Sequence, residues 1–87
     1  MSEYPDQNFV EFVVKAICLK PDSVNVKRTV DEMGVLYMID VDKEDMAKVI
    51  GKAGQTAKAI RQLLRIVGFN NRVRATMKIN DPIIKAQ

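Results

Sequence analysis

The chain has 87 residues, which suits one domain but leaves little room for an enclosed catalytic cavity. It contains no histidine and one cysteine, Cys18, so it lacks the usual general base, the usual metal ligands and an intrachain disulfide. We therefore expect a protein that is not an enzyme and that has no catalytic residues, no metal site and no cofactor.

No apolar run approaches the roughly 20 residues that a membrane span needs. The acidic start "MSEYPDQNF" is unlike a secretory signal, which has a basic region followed by an apolar one. Together these two features predict a cytoplasmic protein without a membrane partner.

The net charge of +3 is unevenly distributed. Residues 1–45 carry ten acidic and five basic residues, a net charge of −5. Residues 46–80 carry eight basic residues and no acidic one, a net charge of +8. Such asymmetry indicates a nucleic acid or another anionic partner, although a solvated basic face would explain it equally well.

The first half of the chain predicts a helix followed by a hairpin. Apolar residues at helical spacing predict the helix over residues 8–19, "NFVEFVVKAICL", with Asn8 or Asp6 as its N-cap and Pro21-Asp22 as its end. Alternating residues predict two strands, "VNVKRTV" and "VLYMIDV". The segment "DEMG" between them predicts a tight turn at Gly34.

The second half predicts two helices, a loop between them and a final strand. Asp42 is a suitable N-cap for a short helix over residues 43–50. The apolar stripe of "QTAKAIRQLLRIV", residues 55–67, predicts the second helix, with Gly68 at its C′ position. "RVRATMKI", residues 72–79, predicts a strand with Val73, Ala75, Met77 and Ile79 facing inward and Arg72, Arg74 and Lys78 facing outward.

These elements predict an open two-layer α+β fold in the order α-β-β-α-α-β, with three helices packed on one face of a three-stranded sheet. The outward arginines and lysine are interpreted as solvated surface, with a second basic patch as the alternative. Tyr37 and Phe69 are interpreted as core and loop packing. We expect one domain over residues 1–87, with a core at about 9–79 and flexible termini at 1–7 and 81–87.

Residues 51–54, "GKAG", place two glycines between two helices. Glycine permits positive φ and, without a side chain, lets another backbone approach closely. The segment leads into a helix N-terminus, where free N–H groups and the helix dipole favour a phosphate. Lys52 adds a cation at the tip, and the neighbouring turns add Lys48, Lys58 and Arg61. These are the components of a phosphate cradle.

Two well-known phosphate-binding loops differ from this segment. A Walker A loop would need glycine where Met46 stands and Ser or Thr where Ala53 stands. A dinucleotide-binding loop would follow a strand directly, and here a helix precedes it. A helix-turn-helix reader of duplex DNA and a plain tight corner between helices both stay open.

The stretch "VIGKAGQTAKAIRQLL" resembles the signature of a KH domain, in which a Gly-x-x-Gly loop clamps about four backbone nucleotides of a single strand. The element order resembles the bacterial, type II form of that fold. Together with "VKAICLKPDSVNV" and "RVRATMKI", the stretch resembles the small stand-alone KH proteins of bacteria, the KhpA family, over residues 9–79. In that family glutamine is common at the position of Ala53 and arginine at that of Gln55.

The resemblance implies a single-stranded RNA-binding protein that acts as an RNA chaperone or post-transcriptional regulator. It also implies a homodimer, or a heterodimer with a larger KH-containing protein, and a groove whose far wall is a strand of the sheet. The main alternative is a protein-interaction adaptor on the same fold, because Gln55 removes a cation beside the cradle.

The residues expected to bind RNA are the loop, its flanking polar side chains and two apolar neighbours: Gly51, Lys52, Ala53, Gly54, Gln55, Lys58, Arg61, Lys48, Ile50 and Ala57. Val49 and Ile60 join the two apolar residues as candidates for a floor beneath unstacked bases, with ordinary core as the alternative.

Overall fold

The computed structural model describes residues 4–80. Its helices and strands follow the predicted order: α1 (Pro5–Ile17), β1 (Asn25–Asp31), β2 (Gly34–Asp40), α2 (Lys43–Ile50), α3 (Gln55–Asn70) and β3 (Ala75–Ile79). Short 3-10 turns lie at Pro21–Ser23 and Lys52–Gly54. The predicted α+β fold class is confirmed. The flexibility predicted for residues 1–3 and 81–87 concerns positions outside the described residues.

The sheet has the order β1-β2-β3, with β1 antiparallel and β3 parallel to the central strand β2. The predicted hairpin closes where Asp31 pairs with Gly34. Gly34 has φ of 127°, and a Cβ there would lie 2.2 Å from the carbonyl oxygen of Arg74. Glycine is required here because the hairpin meets the start of β3 backbone to backbone, with the Val35 amide donating to Arg74 at 2.7 Å.

The core lies between the sheet and the three helices. Apolar residues alternate along the strands as predicted, so every second side chain of β2 and β3 is buried. The helices cover them with one apolar stripe each. The buried apolar set includes Val35, Tyr37, Ile39, Ala75 and Met77 from the strands, and Val10, Val14, Val49, Ile60 and Leu64 from the helices.

Helix α1 starts earlier than predicted. It begins at Pro5, whose fixed φ suits the first helical position, and Tyr4 is its N-cap. Residues 5–7, expected in the flexible terminus, are therefore helical. Asp6 is not a cap: it is buried, and its carboxylate accepts a hydrogen bond from the Tyr37 hydroxyl. Burial, and then this hydrogen bond, raise the pKa of Tyr37 to about 12.

The α3–β3 connection also differs from the prediction. Gly68 is not the C′ residue, because α3 continues to Asn70. Gly68 is buried inside the helix, and a Cβ there would lie 2.9 Å from that of Ala75, so glycine serves the close approach of α3 to β3. Strand β3 starts at Ala75 rather than residue 72, because Arg72 has φ of 60° and the Val73 amide donates back to Gly68.

Asp45 connects α2 to the end of α1. The side chain is fully buried, and its two carboxylate oxygens accept hydrogen bonds from the amides of Leu19 and Lys20, each at 2.9 Å. The Leu19 amide above all lowers the pKa of Asp45, and the Lys20 amide adds to this against the opposing effect of burial. Asp42 caps the same helix as predicted, accepting from the Glu44 amide. The start of the helix that leads to the glycine loop is therefore fixed.

We expect Asp45→Asn to lower the melting temperature at pH 7 by about 5–10 °C, because the amide cannot accept both hydrogen bonds. The folded-state pKa of Asp45 lies below its unfolded value. Its carboxylate therefore stabilises the fold above the unfolded pKa, and this contribution is lost as pH falls through the folded one.

Thermal melts of the native chain and the variant between about pH 7 and pH 3 test this, because their melting temperatures should converge on acidification. Asp22→Asn, at an exposed aspartate, is the control and should track the native chain. A constant difference between native and Asp45→Asn at all pH values would contradict the assignment.

Candidate nucleic-acid interface

The segment Gly51–Gly54 forms a tight corner between α2 and α3. Gly51 ends α2 with φ of 78° and ψ of 173°, a conformation open essentially to glycine alone. Ala53 and Gly54 follow in the left-handed region, with φ of 55° and 76°. Because all four positions from Gly51 to Gly54 have positive φ or belong to the 3-10 turn, the chain reverses within four residues and α3 starts directly after it.

The two glycines serve different purposes. A Cβ on Gly51 would lie 2.2 Å from the Thr56 hydroxyl oxygen and 2.7 Å from the Thr56 amide nitrogen, so the fold itself requires glycine there. A Cβ on Gly54 would meet nothing within 4 Å. The surface at Gly54 therefore faces open space from which another molecule's backbone can approach.

Polar N–H groups face the same region. Gly54 donates to Gly51 at 3.1 Å, and Gln55 donates to Lys52. Among the backbone hydrogen bonds of residues 4–80 that lie outside single helices and strands, none is donated by the amides of Lys52 or Ala53. The N-terminus of α3 has no side-chain cap and no acidic residue in its first turn. Neither a capping side chain nor an acidic residue of its first turn therefore neutralises the positive end of this helix dipole.

The predicted cations lie around this corner. Lys52 is exposed at its tip, and Ala53 and Gln55 are exposed beside it. Lys48, one turn before the loop, and Lys58, in the first turns of α3, are also exposed. The loop is thus surrounded by lysines that can move toward a bound anion.

Arg61 is held differently from the lysines. It is half-buried, and its Nε donates to the carbonyl oxygen of Met77 at 3.2 Å. This contact joins α3 to β3, which is an edge strand of the sheet. The strand that lies beside the glycine-loop helix is therefore β3, which sequence alone did not identify.

The four apolar candidates separate into core and surface. Val49, Ala57 and Ile60 are buried in the core, so their side chains hold α2 and α3 against the sheet. Ile50 is half-buried at the end of α2, directly before the loop. Only Ile50 of this set offers apolar surface next to Gly51.

Phe69 is the residue that the sequence interpretation misplaced. Tyr37 is fully buried, as expected for core, whereas Phe69 is 81% exposed at the end of α3. Arg72, Arg74 and Lys78 are exposed as predicted. The helical spacing of α3 could have predicted this exposure. Phe69 lies one position after Gly68 and therefore off the buried stripe that includes Ile60 and Leu64.

The domain has the order α-β-β-α-α-β, and a Gly-x-x-Gly corner joins its last two helices. These two features define a KH-type domain of the type II order. The family model described as KhpA/KhpB, KH domain, matches residues 7–79. The chain therefore belongs to the KhpA/KhpB family of KH domains.

Curated relatives are bacterial and similar over most of their length. The RNA-binding protein KhpA of Chlamydia pneumoniae is 36% identical over 73 residues, which are 84% of this chain and 94% of the relative. That of Clostridium perfringens is 33% identical, with shares of 84% and 97%. That of Listeria monocytogenes is 37% identical, with shares of 77% and 88%. No solved structure matches the chain significantly.

None of the helices within residues 4–80 has the length and apolar character that crossing a membrane requires. In the same range, no three residues among cysteines, aspartates and glutamates are grouped so that they could hold a metal ion.

Proposed function

We propose that this chain binds single-stranded RNA and holds its phosphate–sugar backbone over the Gly51–Gly54 loop. The observation that carries the proposal is the open space at Gly54, next to the backbone amides of the loop and a helix N-terminus without a side-chain cap. Phosphate oxygens need N–H donors and positive charge at short range, and the corner supplies both. The names of the curated relatives support RNA as the ligand.

Within this proposal the predicted residues take three roles. The amides of the loop contact the phosphates, and Lys52 adds a charge-assisted contact at the tip. Lys48 and Lys58 lie on either side of the loop and attract the backbone at longer range through their charge, whereas Gln55 is an uncharged hydrogen-bond donor beside it. Ile50 offers an apolar contact to a base, whereas Ala57 supports the loop from inside the core.

A four-nucleotide grip is weak, in the micromolar range or weaker. We therefore propose that the protein works as a pair, either with a second copy or with a larger KH-containing protein, since two linked sites raise affinity by about 10²–10⁴. In the cytoplasm such a pair would act as an RNA chaperone or post-transcriptional regulator. Sedimentation of the unlabelled protein at the concentrations used for binding measures the self-association.

The proposal is tested by fluorescence anisotropy with labelled single-stranded RNA and duplex DNA at about 50 and 200 mM salt. The variant Lys52→Asp/Ala53→Asp places two carboxylates in the cradle and keeps both glycines, and aspartate tolerates the left-handed conformation of Ala53. We expect the native chain to prefer single-stranded RNA and the variant to bind it at least ~10-fold more weakly.

The matched control is Lys15→Asp/Ala16→Asp, which makes the same charge change at an exposed Lys-Ala pair on α1. It should bind RNA like the native chain once circular dichroism shows that both variants are folded. An equal loss of RNA affinity in both variants would indicate that net charge, rather than the loop in particular, controls binding. Tighter binding of duplex DNA would favour a DNA reader, and no binding by the native chain would favour the adaptor.

A further inference from the structure

A second groove lies at the opposite end of α3 from the glycine loop. The last turns of α3, the connection to β3 and the start of β3 enclose a surface groove of about 1020 Å³. We call this the distal groove. Its lining includes Arg65, Ile66, Phe69, Arg72, Val73 and Arg74.

The distal groove is built by defined backbone contacts. Gly68 allows α3 to touch the start of β3, where a Cβ would come within 2.9 Å of the Ala75 Cβ. The connection is closed by the Arg72 amide donating to Phe69 at 3.0 Å and the Val73 amide donating to Gly68 at 2.9 Å. Arg72 adopts φ of 60° in this turn. The turn therefore presents its arginines from a fixed backbone.

The chemistry of the groove combines an exposed aromatic ring with positive charge. Phe69 is 81% exposed, more than any other large apolar residue described in the chain. Arg65, Arg72 and Arg74 line the same groove, and no acidic residue is part of the lining. Single-stranded nucleic acids are bound by surfaces of this composition, because bases stack on aromatic rings and arginine planes while guanidinium groups attract phosphates.

We propose that the distal groove is a second RNA-binding site, which takes nucleotides beyond those held at the glycine loop. The inference rests on the proposed function of the loop. Gly54 and Phe69 are 15 residues apart along α3, about 22 Å at the rise of a helix. A grip of about four nucleotides at the loop leaves the next part of the strand to be held elsewhere. Arg61 lies on α3 between the two sites, and Arg65 is the next basic residue, at the edge of the distal groove.

A second copy of the chain fits the distal groove less well. A two-fold contact through this face would set Arg65, Arg72 and Arg74 of one copy against the same arginines of the other. Like charges brought together in this way oppose association, whereas a polyanion neutralises them. Charge complementarity therefore favours RNA as the occupant.

The test compares labelled single-stranded RNAs of about 5 and about 12 nucleotides, since only the longer one can reach both sites. Phe69→Ala removes one stacking surface. We expect it to lower the affinity for the longer RNA by about 5- to 100-fold and to leave the affinity for the shorter RNA nearly unchanged. Arg72→Asn keeps a residue that tolerates positive φ, and it should lower the salt dependence for the longer RNA only.

Phe12→Ala is the matched control, because Phe12 is 74% exposed on α1 and outside the groove. It should bind both RNAs like the native chain. Native binding of the longer RNA by Phe69→Ala would overturn the second site and leave the loop proposal standing. The second site would also be overturned if sedimentation showed a lower oligomeric mass for Phe69→Ala while RNA binding per protomer stayed unchanged. That result would assign the groove to a protein partner. If the native chain bound neither RNA, both proposals would fail.

Discussion

Gly51→Ala is expected to destabilise the fold by about 2–6 kcal/mol, because alanine at this position meets two costs at once. Its conformation, with φ of 78° and ψ of 173°, costs a non-glycine residue about 1–3 kcal/mol. The added Cβ would also lie 2.2 Å from the Thr56 side chain, and such overpacking costs about 1–3 kcal/mol. A domain of this size has only about 4–13 kcal/mol of stability, so urea denaturation should show that the variant unfolds at a much lower urea concentration than the native chain.

Gly54→Ala should behave differently although the chemical change is the same. Its conformation is the ordinary left-handed one, with φ of 76° and ψ of 11°, so alanine costs about 1 kcal/mol. Apart from the glycine itself and its two neighbours in the chain, no atom of the described residues lies within 4 Å of the new methyl group. The fold should survive, while single-stranded RNA binding falls at least ~10-fold because the methyl group occupies the space proposed for the phosphate–sugar backbone.

The exchange variant Ala53→Gly/Gly54→Ala separates two effects of the methyl group, namely backbone strain in the fold and obstruction of the approaching RNA. It has the composition of the native chain, and it moves one methyl group from an exposed position to the proposed contact. If it folds like the native chain and still loses RNA affinity, the open face at Gly54 is the site of approach. Native affinity in both Gly54→Ala and the exchange variant would show that the ligand does not use that face.

The sequence predicted those features that depend on neighbours along the chain. The hairpin, the apolar faces of the helices, the Asp42 cap and the corner at Gly51 all follow from local spacing and from residues with strong conformational preferences. The family resemblance rested on the same local signals, together with their order. These signals suffice for the fold class and for the position of the loop.

Features that depend on contacts between distant segments were not predicted. Asp45 has the sequence position of an ordinary acidic residue in a first helical turn, and only the structure shows that it binds the amides 25 and 26 residues earlier. Gly68 resembles a helix end until β3 is placed against it. Arg61 resembles a solvated cation until the Met77 carbonyl lies beside it. In each case a tertiary partner decides the role, and local pattern carries no information about that partner.

The Asp6–Tyr37 pair is another contact between distant segments, and Tyr37→Phe is expected to destabilise the fold by about 1–3 kcal/mol. The carboxylate of Asp6 is 3% exposed and accepts from the Tyr37 hydroxyl across 31 residues of sequence. Removing the hydroxyl leaves the buried carboxylate without this donor. In an Asp6→Leu background the same substitution should cost much less, so the double-mutant cycle should give a coupling of about 1 kcal/mol or more.

The same pair makes the free energy of unfolding fall at alkaline pH. The pKa of Tyr37 is raised to about 12, mainly by burial and then by the hydrogen bond to Asp6. A hydroxyl whose folded pKa is raised stabilises the fold below its unfolded pKa, near 10, and this contribution is lost as pH rises from about 10 to 12. The chain has two tyrosines, so subtracting the tyrosinate titration of Tyr37→Phe from that of the native chain isolates Tyr37.

That difference curve should have its midpoint near pH 12, well above the value of a free tyrosine. A midpoint near 10 in a chain that is still folded would contradict the buried pair. The pair joins the first turn of α1 to the middle of β2, and neither segment contributes to the loop or the distal groove. RNA affinity measured on the folded fraction of Tyr37→Phe should therefore equal that of the native chain, because the substitution changes how much protein is folded and not how the folded protein binds.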